Sequence, residues 1–198
     1  MMMTALAVHL LLAASSPLLA QSTNVDLLKA REKLAAYTPD RLPPSEYVAE
    51  GVCPSECCRY GAWTVLADAD LLDSPGGRVA GRLKAGEKVK ALGGQVRTHP
   101  RPYLVLGNHA PFKAGDIVFA VYYVGEGVLR YWKDGNVVET GQSDVDLCDQ
   151  PGTDCWAAVL DRPFDASDRV WWANLKKSDG RAGWSTVDAK LKPIDDCE

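Results

Sequence analysis

The most reactive side chains in this chain are six cysteines, Cys53, Cys57, Cys58, Cys148, Cys155 and Cys197. Their number is even and all lie beyond residue 20, so the first chemistry to expect is disulfide formation in an oxidising compartment. A zinc site is the competing use. It is disfavoured by the spacing, because C-x3-C-C with no C-x-x-C pair and no nearby histidine does not place four ligands around one ion. Cys148 and Cys155 bracket a Pro-Gly loop and form the favoured local pair. The neighbours Cys57 and Cys58 point apart in an extended chain and call for separate partners. Cys197 would then tie the C-terminus to the 53–58 cluster.

Other catalytic constellations are hard to assemble. His99 and His109 flank Pro100, Pro102 and an apolar run, and no third ligand or nucleophile stands near them in sequence. Both read as loop residues, and neither a metal nor a cofactor is expected. The motifs Gly-x-Ser-x-Gly, His-Glu-x-x-His and a phosphate-cradling glycine loop are missing from the sequence. Carboxylate pairs such as Asp68 with Asp70, Glu50 with Glu56, or Asp161 with Asp165 could serve glycoside cleavage. With 26 acidic residues in the chain, such pairs arise by chance and are read as solvated charge.

The aromatics are more informative. Trp171 and Trp172 are adjacent, so in a strand they point to opposite faces. Trp171, Ala173 and Leu175 make the apolar side; Trp172, Asn174 and Lys176 share the other. Tyr131 and Trp132 divide in the same way. One member of each pair is therefore a candidate for an exposed aromatic groove, and Trp172, Trp132, Tyr131 and Trp171 are the candidate binding residues. The competing reading is that the second face is covered by another part of the chain. Trp184 is assigned to the core, as are Trp63 and Trp156 to core or loop anchors.

These side chains need elements to hold them. Residues 1–20 contain no charged residue and all three methionines. They read as a signal peptide cleaved after Ala20, with an uncleaved anchor as the alternative. Pro17 is expected to break any helix there. The remaining residues carry every charged side chain, with a net charge of −4 for the chain. That composition excludes disorder and disfavours nucleic-acid binding. No cysteine directly follows the leader, which excludes a lipidated N-terminal cysteine. The expected location is extracytoplasmic, periplasmic or secreted, with no stable membrane insertion after cleavage.

Thr23 to Tyr37 predicts a short amphipathic helix on Leu27, Leu28, Arg31 and Leu34, and residues 21–46 end in a Pro-rich connector. From residue 47 the signals are almost wholly β. Strands are expected at 63–66, 87–92, 103–106, 117–124, 128–132, 137–139 and 170–175, divided by glycine-bearing turns. Asp134-Gly135 and Asp179-Gly180 predict type I′ hairpins. Ile117 to Val124 is apolar on both parities and is expected to be central, covered on both faces. Residues 47–198 then form one domain.

Two segments resemble the bacterial SH3-like (SH3b) family. In 69–92, ADLLDSPGGRVAGRLKAGEKVKAL, Leu71 opens the pattern, Ser74-Pro75-Gly76 marks a loop, and Val79 to Leu83 lead to the Lys-x-Gly-Glu turn. In 169–187, RVWWANLKKSDGRAGWSTV, a Trp-bearing strand, an Asp-Gly-Arg turn and Gly183-Trp184 match the closing hairpin. Leu72-Asp73 stands where the family usually has Asn-Val-Arg, and about 93–168 is a long insertion. The resemblance implies a mainly β fold: an SH3-like small barrel elaborated by an inserted antiparallel β region, with one short N-terminal helix and disulfide staples. It also implies a non-catalytic binding module for a cell-envelope peptide or glycan. Alternatives are a secreted inhibitor or partner of a hydrolase acting through 97–116, and, more distantly, a carboxylate-based cell-wall enzyme. The partner is a cell-envelope component or another exported protein.

Overall fold

The computed structural model describes residues 17–53, 58–125, 128–140, 147–148 and 155–195. It opens with a helix, α1 (Pro17–Ala35), followed by strands β1 (Tyr47–Glu50), β2 (Cys58–Val65), β3 (Ala69–Leu72), β4 (Val79–Leu83), β5 (Lys88–Thr98) and β6 (Arg101–Val105). Then come β7 (Ile117–Gly125), β8 (Val128–Lys133), β9 (Asn136–Glu139), β10 (Leu147–Cys148), β11 (Ala157–Val159), a 3-10 turn (Ala166–Asp168), β12 (Arg169–Lys176), β13 (Ala182–Thr186) and β14 (Leu191–Asp195). The fold is mainly β, as expected.

The strands form two sheets. One has the order β14-β2-β5-β12-β13-β3-β4, with β1 also pairing with β5; the other runs β10-β11-β6-β7-β8-β9. The first is curled, and its concave side closes on its own core. Trp63, Val65, Leu71, Leu83, Val89, Ala91, Ala173, Leu175 and Leu191 come from six strands of this sheet and form one buried cluster. Close approach inside the curl leaves no room for a side chain at Gly183, where a Cβ would lie 2.5 Å from the Leu72 carbonyl oxygen and 2.8 Å from Leu71 Cγ.

The second sheet is inserted between β5 and β12. Arg169 and Thr98 are direct Cα partners, and the β5–β12 ladder continues to Lys176 opposite Lys90. The chain therefore leaves and rejoins the first sheet at neighbouring points, which makes a long insertion topologically inexpensive. β5 runs to Thr98, so residues 93–98, expected in the insertion, belong to the first sheet.

In the inserted sheet β7 lies between β6 and β8, and both of its faces are covered. Val118 and Ala120 pack with Tyr103, Tyr131 and Trp156 on one side. Ile117 and Phe119 pack with Leu104, Ala30 and the α1 residues Leu27 and Leu34 on the other. The doubly apolar reading of this strand holds.

Several expectations are corrected. Pro17 does not break the helix; it stands at the helix start, where its missing N–H costs nothing and its fixed φ suits the first turn. Ala30, at 4% exposure, replaces Leu28, at 58%, on the packed face. The Asp134-Gly135 turn has positive φ at both residues (47° and 87°), as a type I′ hairpin requires. In the second predicted hairpin only Gly180 has positive φ, with Gly180 N–H donating to the Lys177 carbonyl and Lys177 N–H to that of Arg181. That loop is a type I turn closed by a glycine bulge.

Cys53 is bonded to Cys58, and Cys155 is also disulfide-bonded. The expected Cys148–Cys155 pair depends on the Cys148 side chain, which lies outside the described side chains, and the Cys197 staple on a residue outside those described. Among the described residues no helix is long and apolar enough to cross a membrane.

Candidate functional site

Register places the aromatic candidates. In the β12–β13 ladder, Trp172 is opposite Thr186, Asn174 opposite Trp184, and Lys176 opposite Ala182. Residues directly opposite in an antiparallel pair share a face, as do alternate residues along one strand. Trp172, Asn174, Lys176, Trp184 and Thr186 therefore all stand on the convex, outer face, while Ala173 and Leu175 point into the core. Across the other edge of β12, Trp172 faces Gln95, Asn174 faces Gly93 and Lys176 faces Lys90. Leu92 is the extra residue of a bulge on this edge and is exposed.

Trp184 is thus not a core residue, as expected from sequence, but a half-buried member of the outer face. It lies diagonally across from Trp172, a separation of about 7–8 Å between neighbouring strands. Among the described residues neither indole makes a ring contact, and neither N–H is hydrogen-bonded or sealed from solvent. Between them the Asn174 side-chain oxygen is buried without a hydrogen-bond partner. Beside Asn174, Gly93 leaves open space where a side chain would stand. The result is an outer face that carries two indoles on neighbouring strands, with open space over Gly93 beside them.

The strip continues in both directions. Toward the chain ends of the ladder, Val48, Arg97 and Val170 form the next row, with both valines exposed. Toward the β12–β13 turn lie Lys90 and Lys176, and then Lys88. A cavity of about 530 Å³ opens here, lined by these three lysines, Lys177 and the small residues Gly61 and Ala62. Lys88 donates to the Thr64 hydroxyl at 2.6 Å. Lys177 is paired with Glu87 at 3.1 Å. Lys90 and Lys176 have no hydrogen bond or ion pair among the described residues.

The other candidates go elsewhere. Tyr131 is fully buried, edge-on to Phe112 and Trp156. Trp132 packs with the α1 cluster, and its Nε1 donates to the Arg41 carbonyl at 3.0 Å. Trp171 shares a face with its β5 partner Val96 and with Ala49 and Tyr47 of β1. Tyr47 is stacked on Tyr122 at 6.0 Å and meets Trp132 edge-on at 6.3 Å, so this face is turned toward the inserted sheet. Trp172 and Trp132 are consequently on opposite sides of the β5–β12 ladder and share no cleft. For Trp132 the competing reading, coverage by the N-terminal segment, is the observed one.

The titratable candidates are tied into the scaffold. Asp168, wholly buried, accepts from Arg101 Nε at 2.7 Å, from Arg162 at 2.8 Å and from the Asp165 N–H at 3.1 Å. Burial pushes its carboxyl up, but these donors more than offset it and hold the pKa below the ordinary aspartate value. Asp161 pairs with Arg101 at 3.2 Å, and Asp165 caps the 3-10 turn. Asp68 pairs with Lys84, and Asp70 with Arg82. Glu56 lies outside the described residues. His99 is held on the Ser45 carbonyl, and His109 is stacked on Trp156 at 4.3 Å. Among the described residues no three His, Cys, Asp or Glu side chains converge as metal ligands.

A second cavity, about 410 Å³, lies between α1 and β6, bordered by Asp26, Lys29 and Lys33. It has no aromatic wall, and Lys33 is already bound to the Gly115 carbonyl at 2.7 Å. The outer face of β5, β12 and β13 is the better candidate. Sequence reasoning found Trp172, Asn174 and Lys176 on one side of a strand. It missed Trp184, Gln95, Gly93 and Lys90, whose membership depends on register with two other strands. A reading of small Gly183 and Ser185 alternating with Trp184 and Thr186 would have signalled the first of these.

No family model matches this chain, and neither a curated protein nor a solved structure matches it.

Proposed function

We propose that the protein is an exported, non-catalytic binding module of SH3-like architecture, holding an extended cell-envelope polymer, glycan or peptide, on the outer face of β5, β12 and β13. The observation that carries this reading is the pair of indoles, Trp172 and Trp184, that stand on one outer face without a partner among the described residues. Exposed indoles combine large contact area with a polar handle, which suits amphipathic partners. The uncharged leader and the disulfide at Cys53–Cys58 support an oxidising destination. Of the carboxylates considered for acid–base chemistry, Asp68, Asp70, Asp161 and Asp165 are held in ion pairs, which supports a binding rather than a catalytic role.

The inhibitor reading has less support. Its loop at 97–116 is occupied by the end of β5 and by β6, and the remainder is pinned by buried Phe112. Co-sedimentation with purified peptidoglycan tests the proposal. Wild type is expected in the pellet, with most of the retention lost in Trp172→Ala and in Trp184→Ala. Wild type remaining in the supernatant would sink the cell-envelope assignment. Equal retention of both variants would remove the groove.

A further inference from the structure

Resting on that reading of the outer face, we infer that the polymer it binds is an acidic glycan, whose sugar rings lie on Trp172 and Trp184 while its anionic groups are taken by Lys90 and Lys176. Three observations lead there. The first is a conflict in the sheet itself. Lys90 and Lys176 are direct cross-strand partners, and neither has a compensating acid among the described residues. Like charges placed opposite one another destabilise a sheet, so the pair has a cost that the fold alone does not repay. With Lys88 two residues along the same strand face, the cavity presents a local cationic concentration in a chain whose net charge is −4.

The second observation is the order of features along the strip. The lysine row directly adjoins the row containing Gly93, Asn174 and Trp184, and the next row contains Trp172. From Val170 to Lys176 the strip spans about 20 Å at the usual rise of a strand. An occupant must therefore be extended, with flat amphipathic units at one end and negative charge at the other. A sugar ring offers an apolar C–H face for an indole, and acidic substituents satisfy the lysines.

The third observation separates glycan from peptide. β5, β12 and β13 are internal strands whose two edges are both paired. A peptide could not extend the sheet here through main-chain hydrogen bonds, the usual source of affinity for an extended peptide on a β fold. Recognition must come from side chains standing on the face, which favours rings that stack.

Binding of an oligogalacturonate, a neutral gluco-oligosaccharide of equal length and poly-L-glutamate, followed by indole fluorescence and calorimetry, tests this. The oligogalacturonate is expected to bind, and to weaken about tenfold between roughly 0.01 M and 0.1 M salt, as the Debye length shrinks from about 30 to about 10 Å. Lys90→Glu and Lys176→Glu should each weaken it about tenfold, whereas Lys113→Glu, an exposed charge in the loop between β6 and β7, should change it less than about twofold. Each reversal creates an opposite-charge pair across the ladder, so neither variant should melt below wild type, and loss of binding cannot be ascribed to unfolding. Trp184→Ala should abolish binding of the acidic sugar with its fluorescence change. Equal affinity for the neutral sugar, or indifference to both lysine reversals, would overturn the acidic assignment while leaving the aromatic platform standing. Poly-L-glutamate binding as tightly, and surviving Trp184→Ala, would overturn the glycan assignment in favour of charge alone. Failure of all three probes, together with failure to pellet with peptidoglycan, would overturn the platform itself.

Discussion

Asp168 shows how much a single side chain holds in this molecule. It sits where the inserted chain returns to the first sheet, at the end of the 3-10 turn, and its side chain is wholly buried between Arg101 and Arg162. Its pKa is lowered in the folded state, so it contributes stability above the unfolded aspartate pKa of 3.8, and this is lost as pH falls through the depressed folded value. Asp116, held down by Lys133, adds in the same direction. Acid melts should therefore show destabilisation setting in below about pH 4, and Asp168→Asn should flatten this dependence. That substitution should also cost about 3–5 kcal/mol at neutral pH, because two guanidinium groups lose a buried counter-charge. A melt in which the variant equals wild type at pH 7 would show the cluster to be inert. Glycines provide a second contrast at this scale. Gly183→Ala places a methyl group against the Leu72 carbonyl and should cost about 1–3 kcal/mol in a thermal melt. Gly93→Ala meets nothing within 4 Å and should leave stability equal or slightly higher.

At the scale of elements, the β5–β12 ladder carries both the fold and the candidate site. One of its faces contributes Val89, Ala91, Ala173 and Leu175 to the core, and the other presents the aromatic and basic strip. Period-two alternation lets the two roles coexist without competing for the same side chains. The strip's lysine row is a place where the sheet could be made more stable. Lys176→Glu should raise stability by a few tenths of a kcal/mol, since an exposed cross-strand repulsion becomes an attraction. A lower melting temperature in that variant would mean that the lysines contribute packing through their alkyl chains. The helix α1 serves the other sheet. Its residues Leu27, Ala30 and Leu34 cover the outer side of β7, and Arg31 Nε donates to the Leu160 carbonyl at 2.8 Å. These contacts all follow residue 20. A chain beginning at Gln21 is expected to melt with the full-length protein, and a clear drop would show that the first turn of α1 is needed.

Across the whole molecule, two sheets with separate cores are joined where β5 gives way to β6 and the 3-10 turn returns to β12. The first core draws on the curled sheet alone, so a chain joining 47–98 to 169–198 through a short turn should retain a buried Trp63, read as blue-shifted fluorescence. The Cys53–Cys58 bridge closes a short loop at the edge of this core and should contribute about 2 kcal/mol, lost in the double serine variant. Much of this was legible in the sequence. Alternation announced strands, the both-face apolarity of 117–124 announced a central strand, and Asp134-Gly135 announced its hairpin. These are local properties, encoded by the steric and hydrophobic preferences of neighbouring residues. The sequence also placed Trp172, Asn174 and Lys176 together, because alternation along one strand needs no partner. Only the tertiary structure decided what stands beside them. Trp184 joins that face and Trp132 is withdrawn from it because register between strands and the packing of α1 are set by long-range closure, where residues far apart in the chain become neighbours and a shift of one position exchanges core for surface.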